Sequence, residues 1–183
     1  MPLNLRFQVL VLFAMHLMGT TSFSQQSLAS DPGVIADDNR TPTWEETVVA
    51  FEELAAACDE AHLIEVGKSD AGRPIHALIL TLAHMRTNDI GGLRLLRQNE
   101  KLGLLINNAI HPGEPCGVDA SVAWVRELIT NDEMRLEVLS TIDVAIIPMY
   151  NVGGALNRNC CTRTNQDGPE EYGFRGNARN LDL

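Results

Sequence analysis

The sequence predicts an α/β fold built on a mixed β-sheet with helices on both faces. Three observations carry that prediction. Two apolar runs, 103–110 and 142–149, are separated by segments of helical periodicity, which implies a parallel crossover of right-handed sense. Two apolar stretches, 62–66 and 74–82, flank the turn-rich Gly67-Lys68-Ser69-Asp70-Ala71-Gly72 and read as an antiparallel hairpin. Hydrophobic residues make up 45% of the 183-residue chain and charged residues 21%, a balance that permits a packed core. A hairpin joined to a crossover gives a sheet with both senses of pairing.

The chain divides into three stretches. Residues 1–24 run from a basic start, through an apolar core over 7–18, to small polar residues, the order of a secretory signal peptide. The apolar core is too short for a comfortable membrane-spanning helix, so no stable membrane insertion is expected. Export to a secreted or periplasmic location follows from this reading. Residues 25–42 are rich in Ser, Asp, Pro and Gly and read as a flexible leader, and 43–183 holds the folded part.

Thr43 and Glu46 form a capping box, and Trp44, Val48, Phe51 and Ala55 share one face of the helix it opens, which should end near Cys58. The hairpin follows, with Ile75, Ala77 and Ile79 alternating against His76, Leu78 and Leu80. A short helix is expected over 89–98, interrupted by Gly91-Gly92. The run 103–110 is expected to be a strand buried on both faces. Pro115 suits a first helical turn, and Val118, Val122, Val125 and Ile129 make an apolar stripe behind it. A shorter helix, 132–139, precedes the second buried strand, 142–149. The polar tail 151–183 has no periodicity, and a loop of that length inside a domain is usually functional or disordered. It begins at the carboxyl edge of the sheet, where ligands bind in open α/β folds.

Export permits disulfides, but the four cysteines allow three pairings and the sequence does not choose among them. Adjacent Cys160 and Cys161 have a poor geometry for bridging each other, and Cys116 reads as a small buried residue at a helix start. The net charge of −10 argues against a nucleic-acid partner.

The chemistry concentrates in His111-Pro112-Gly113-Glu114, at the exit of the first long strand. A sharp Pro-Gly turn lets imidazole nitrogen and carboxylate oxygen converge, and zinc takes both donor types. The same residues also suit a plain structural role, with Glu114 at a helix N-terminus and His111 ending a strand. The remaining histidines do not complete a ligand set. His16 lies in the leader, His62 and His84 lie beside the hairpin, and His76 reads as a satisfied core residue. Arg158, Arg163, Arg175 and Arg179 all fall in the tail, where guanidinium groups could grip a carboxylate, stabilise an oxyanion, or balance the acidic residues around them.

These motifs, in this order, resemble those of the zinc carboxypeptidases related to carboxypeptidase A. His111-Pro-Gly-Glu114 is similar to the family's paired zinc-ligand motif. Tyr150-Asn151-Val152-Gly153-Gly154 resembles its Asn-Pro-Asp-Gly segment, with Val152 and Gly153 in place of Pro and Asp. The stretch from Phe174 to Leu183 resembles the approach to its Asp-x-Asn-Arg motif, with Asp182 as the acid.

The resemblance implies a Zn2+ cofactor held by His111 and Glu114. It also implies Arg175 as the arginine that polarises the scissile carbonyl, matched by its spacing from Asp182, with Arg179 as the alternative match. Arg175 should then lie nearer the His111/Glu114 turn than Arg158 or Arg163. The implied substrates are peptide or protein C-termini. The family's third zinc ligand, its general-base glutamate and its Asn-Arg pair have no counterpart here, so the chain is expected to be an incomplete, inactive part of a catalytic domain with an open sheet edge near 142–149. Two further readings stand beside this one: a non-catalytic chain that binds peptides or a partner, and a zinc amidohydrolase acting on cell-wall peptides or N-acyl amino acids.

Overall fold

Ten elements lie within the compact unit Pro32–Leu183 of a computed structural model, which describes residues 39–83, 101–163 and 165–183. The signal peptide, the bulk of the leader, His16, His84 and the helix expected over 89–98 lie outside the described residues.

Helix α1 spans Trp44–Ala56 and opens as the sequence predicts. The Thr43 hydroxyl accepts from the Glu46 N–H at 3.1 Å, and the Glu46 carboxylate accepts from the Thr43 N–H at 2.8 Å. Arg40 also pairs with Glu46 and, with the cap, holds its carboxyl down at about 2. The buried face is Thr47, Ala50, Phe51 and Leu54, turned from the expected stripe. Trp44 is drawn toward the hairpin instead, with its ring 5.5 Å from the Arg73 guanidinium and 6.3 Å from the His76 ring. His76 is therefore not a satisfied core residue: its Nδ1 is buried without a protein partner, and burial lowers its pKa.

Strands β1 (Ala61–Lys68) and β2 (Pro74–Leu80) form the antiparallel hairpin, with a bulge between Glu65 and Gly67. Strand β3 (Leu102–Asn107), helix α2 (Cys116–Thr130), helix α3 (Asp132–Thr141) and strand β4 (Ile142–Ile147) make the crossover. Strand β3 pairs with β4 in parallel, from Leu102 opposite Ile142 to Asn107 opposite Ile147. Strand β2 pairs with β4 antiparallel, so the sheet is mixed, in the order β1-β2-β4-β3. Leu78 and Leu80 lie beside Ile146 and Val144 on one face, all fully buried. Val118, Val122, Val125 and Ile129 are buried as their spacing predicts, and α1 packs on both α2 and the hairpin. Among the described residues no helix is long and apolar enough to cross a membrane.

Two expectations about the strands are corrected. Strand β3 is not buried on both faces: Leu102 is 71% exposed and Leu105 63%. The reason is its place in the order, with a hydrogen-bonded neighbour on one side only among the described residues. For the same reason β3, like β1 at the other end, is an edge, whereas β4 lies inside the sheet. Cys116 is exposed rather than buried, because it falls on the far side of α2 from Val118.

The tail is more ordered than its composition suggests. It contains the short helix α4 (Val152–Leu156) and a two-stranded ribbon of β5 (Arg158–Asn159) and β6 (Tyr172–Gly173). Cys160 and Cys161, expected not to pair, bridge each other in the exposed loop after β5, where no strand ladder fixes the backbone. The end of the expected leader is also held in place. The Arg40 backbone forms an isolated parallel β-bridge with that of Glu171, the Thr41 N–H donates to the Glu171 carbonyl at 2.9 Å, and Thr41 is fully buried.

Candidate active site

The site is built where β3 and β4 end side by side. Past the last ladder bonds, the chain leaving β4 caps three successive carbonyls of the chain leaving β3. The Tyr150 N–H donates to Asn108 O at 3.0 Å and the Asn151 N–H to Ala109 O at 3.1 Å. The Asn151 side-chain amide donates to Ile110 O at 3.0 Å. Ala109 sits there at φ 50, in the left-handed region that alanine rarely enters. That bend turns the next residues off the strand line, into the turn closed by the Glu114 N–H on His111 O at 2.9 Å. On the other side, buried Asn108 ties the strand end to α2 through a 2.8 Å bond to Ser121.

The turn brings the two sequence-predicted ligands to one place. His111 is 9% exposed. Its Nε2 lies 3.6 Å from an Asp182 carboxylate oxygen, and its Nδ1 lies 3.4 Å from the Arg175 carbonyl. The Glu114 carboxylate accepts a short, charge-assisted hydrogen bond from Arg163 and lies 3.8 Å from the Arg175 guanidinium, which itself pairs with Asp182 at 3.1 Å. His111 and Glu114 thus both meet the Arg175–Asp182 pair.

The Arg163 guanidinium holds the Glu114 carboxyl below its ordinary pKa, against the opposing effect of partial burial; His111 and Arg175 add to the lowering. The carboxylate is therefore ionised at neutral pH. Among the described residues, no group of three or more His, Cys, Asp and Glu side chains is placed to hold a metal. Of the predicted donors, the site presents the His111 imidazole and the Glu114 carboxylate, types that zinc takes, with the Asp182 carboxylate beside the imidazole.

The arginines separate into different roles. Arg158 is absorbed by structure: its guanidinium bonds Thr41, Pro42 and Glu171, at 2.7 Å to the Thr41 carbonyl. Contrary to the spacing argument, Arg163 and not Arg175 makes the closest side-chain approach to Glu114, because the loop after β5 folds back over the turn. The Arg163 main chain is held by the Tyr172 hydroxyl at 3.3 Å, and its Nη1 is buried without a partner. Among the described residues, the Arg179 side chain makes no hydrogen bond or ion pair at the turn. Arg163, Phe174, Arg175 and Asp182 line an open cavity of about 370 Å³.

The tail reaches the site because α4 is thin. A Cβ on Gly153 would stand 2.5 Å from the Ala178 nitrogen, and one on Gly154 would stand 2.5 Å from the Phe174 carbonyl oxygen. Only glycine at both positions lets the segment 174–178 lie flat on the helix, which delivers Arg175 beside His111.

Residues 47–179 match the family model described as zinc carboxypeptidase. Carboxypeptidase 2 of Trichophyton rubrum is 24% identical over 144 residues, covering 75% of this chain and 26% of that protein. The chain spans about a quarter of the length of the curated relatives it matches. Among solved structures, the metallo-carboxypeptidase of Burkholderia cenocepacia is similar with a TM-score of 0.54 at 18% identity, over 76% of this chain and 31% of that one. The metallo-carboxypeptidase of Pseudomonas aeruginosa, solved with (2-guanidinoethylmercapto)succinic acid, gives 0.51 at 19% identity, over 76% and 30%. At these identities the structural likeness speaks for the fold; the family match speaks for descent, and the chain belongs to the zinc carboxypeptidase family.

Proposed function

We propose that this chain supplies part of the active site of an exported, zinc-dependent metallocarboxypeptidase that removes C-terminal residues from peptides. The observation that carries the reading is the convergence of His111, Glu114, Arg163 and Arg175 at the carboxyl edge of the sheet. His111 and Glu114 would hold the zinc. When bound there, a zinc ion supplies Lewis acidity toward a carbonyl and a water of lowered pKa. Glu114 is suited to that role because it is ionised at neutral pH. Arg175 is half-exposed and lines the cavity, so its guanidinium can stabilise negative charge developing on a substrate carbonyl oxygen. Arg163, closer to Glu114, is suited either to share that task or to grip a substrate carboxylate through parallel hydrogen bonds. Secretion or periplasmic export rests on the charged, apolar and small-residue order of residues 1–24.

The test is peptide hydrolysis by the full-length protein. Peptides with a free C-terminus should lose their last residue, and a chelator should stop the reaction. His111→Ala and Glu114→Ala should lose both zinc and turnover. Arg175→Ala should retain zinc and lose on the order of 10²-fold in turnover, the scale for one oxyanion donor. Equal cleavage of C-terminally amidated peptides would overturn the exopeptidase assignment. Preferred cleavage of cell-wall peptides would favour an amidohydrolase, and zinc-independent peptide binding without hydrolysis would favour a binding role.

A further inference from the structure

We propose that Asn151 is a positioning residue of this site, its one side-chain amide fixing the turn that bears His111 against the loop that bears Arg175. The proposal rests on the reading of His111 as a metal ligand. Asn151 is 1% exposed, and both its side-chain atoms and its N–H are engaged. Its Nδ2 donates to Ile110 O at 3.0 Å and to Arg175 O at 3.0 Å, so its two amide protons join two separate segments. Its Oδ1 accepts from the Gly154 N–H at 2.8 Å and opens α4, while its own N–H holds Ala109 O.

The two acceptors of Nδ2 are the ones that matter to the site. Ile110 O belongs to the peptide that enters His111. Arg175 O is the same carbonyl that the His111 ring approaches through Nδ1 at 3.4 Å. One amide therefore sets the imidazole's backbone and its ring partner together. The bonds to Ala109 O and Ile110 O also hold the chain just past the left-handed bend, a conformation that persists only where its surroundings over-determine it.

No other side chain of this size does the same. Two donors and an acceptor at this reach are the property of asparagine alone. Aspartate keeps the acceptor for Gly154 but faces two carbonyls with an oxygen in place of the donor. A buried carbonyl left without its donor carries the full cost of its desolvation. Groups that orient a ligating histidine commonly matter 10–100-fold to metal affinity.

The experiment measures zinc affinity of the full-length protein by competition with a chromogenic chelator, together with amide exchange at Gly154. Asn151→Asp and Asn151→Ala should each weaken zinc by roughly 10–100-fold. Asn151→Asp should keep Gly154 protected, since Oδ1 remains, which separates loss of the two donors from loss of α4. Ile64→Ala, a core truncation on β1 at the opposite edge of the sheet, is the control for destabilisation alone and should leave zinc affinity unchanged. Wild-type affinity in Asn151→Asp, with His111→Ala unable to bind, would overturn this proposal alone. An equal loss in Ile64→Ala would reduce Asn151 to a general structural role and overturn it as well. Wild-type affinity in His111→Ala would overturn the metal reading itself, and the proposal with it.

Discussion

Glu114 is held by a guanidinium 49 positions downstream, and that pairing decides its titration. A carboxyl whose folded pKa is depressed adds stability above its unfolded pKa, and loses that contribution as pH falls through the folded value. The side chain is half-exposed, so solvent screens much of the effect on stability. The pKa is the cleaner observable. In the zinc-free protein, Arg163→Ala should let the Glu114 carboxyl rise toward its ordinary value, read by carbon-detected NMR titration; an unmoved titration would assign the depression to other groups. The importance of Arg163 was not legible in the sequence. Spacing from Asp182 singled out Arg175, which does lie at the turn. Nothing local distinguishes Arg163, which folds back over it, from Arg158, which is absorbed in holding Thr41 and Glu171. The turn from His111 to Glu114 was legible because Pro112-Gly113 follows a strand; the bonds from Tyr150 and Asn151 that hold it were not, since they come from a distant segment.

At the scale of elements, what was legible is what local periodicity encodes. The Val118, Val122, Val125 and Ile129 stripe, the capping box and the hairpin all formed as read. The burial of β3 was not legible, because an apolar run reads the same at the centre of a sheet and at its edge. Only the partner on its second side makes the difference. The role of Gly153 and Gly154 was also hidden, since tight contact with residues 174–178 is a tertiary fact. It makes a firm prediction. Gly153→Ala places a methyl group against the Ala178 backbone and should destabilise the protein by about 1–3 kcal/mol, the range for overpacking, measured by denaturant unfolding. An unshifted midpoint would mean that the segment moves aside at little cost.

For the molecule as a whole, the strand order is the governing fact. It places β3 at an edge with Leu102, Leu104 and Leu105 exposed, and its outer backbone groups have no strand to pair with among the described residues. Such an edge is a template for another strand. The isolated chain should therefore self-associate as concentration rises, and Leu105→Lys should shift it toward monomer, because a charge on an edge opposes pairing. Sedimentation velocity distinguishes the two. A wild-type chain that stays monomeric across the concentration series would show that the edge is protected in solution. Which strand lies at an edge was not legible, because strand order depends on which neighbour β4 takes on each side.

The Arg158 clamp has a consequence for chain entropy as well as for geometry. Its guanidinium joins positions 117 residues apart, Thr41 at the front of the fold and the ribbon that carries the tail. Closing a loop of that length costs more chain entropy than closing the shorter β3–β4 crossover. The loop bearing Arg163 leaves that ribbon directly, so the anchoring of the front of the chain and the approach of Arg163 to Glu114 share one segment. The strand ends and the turn draw on shorter connections, whereas the charged lining of the site depends on one of the longest among the described residues.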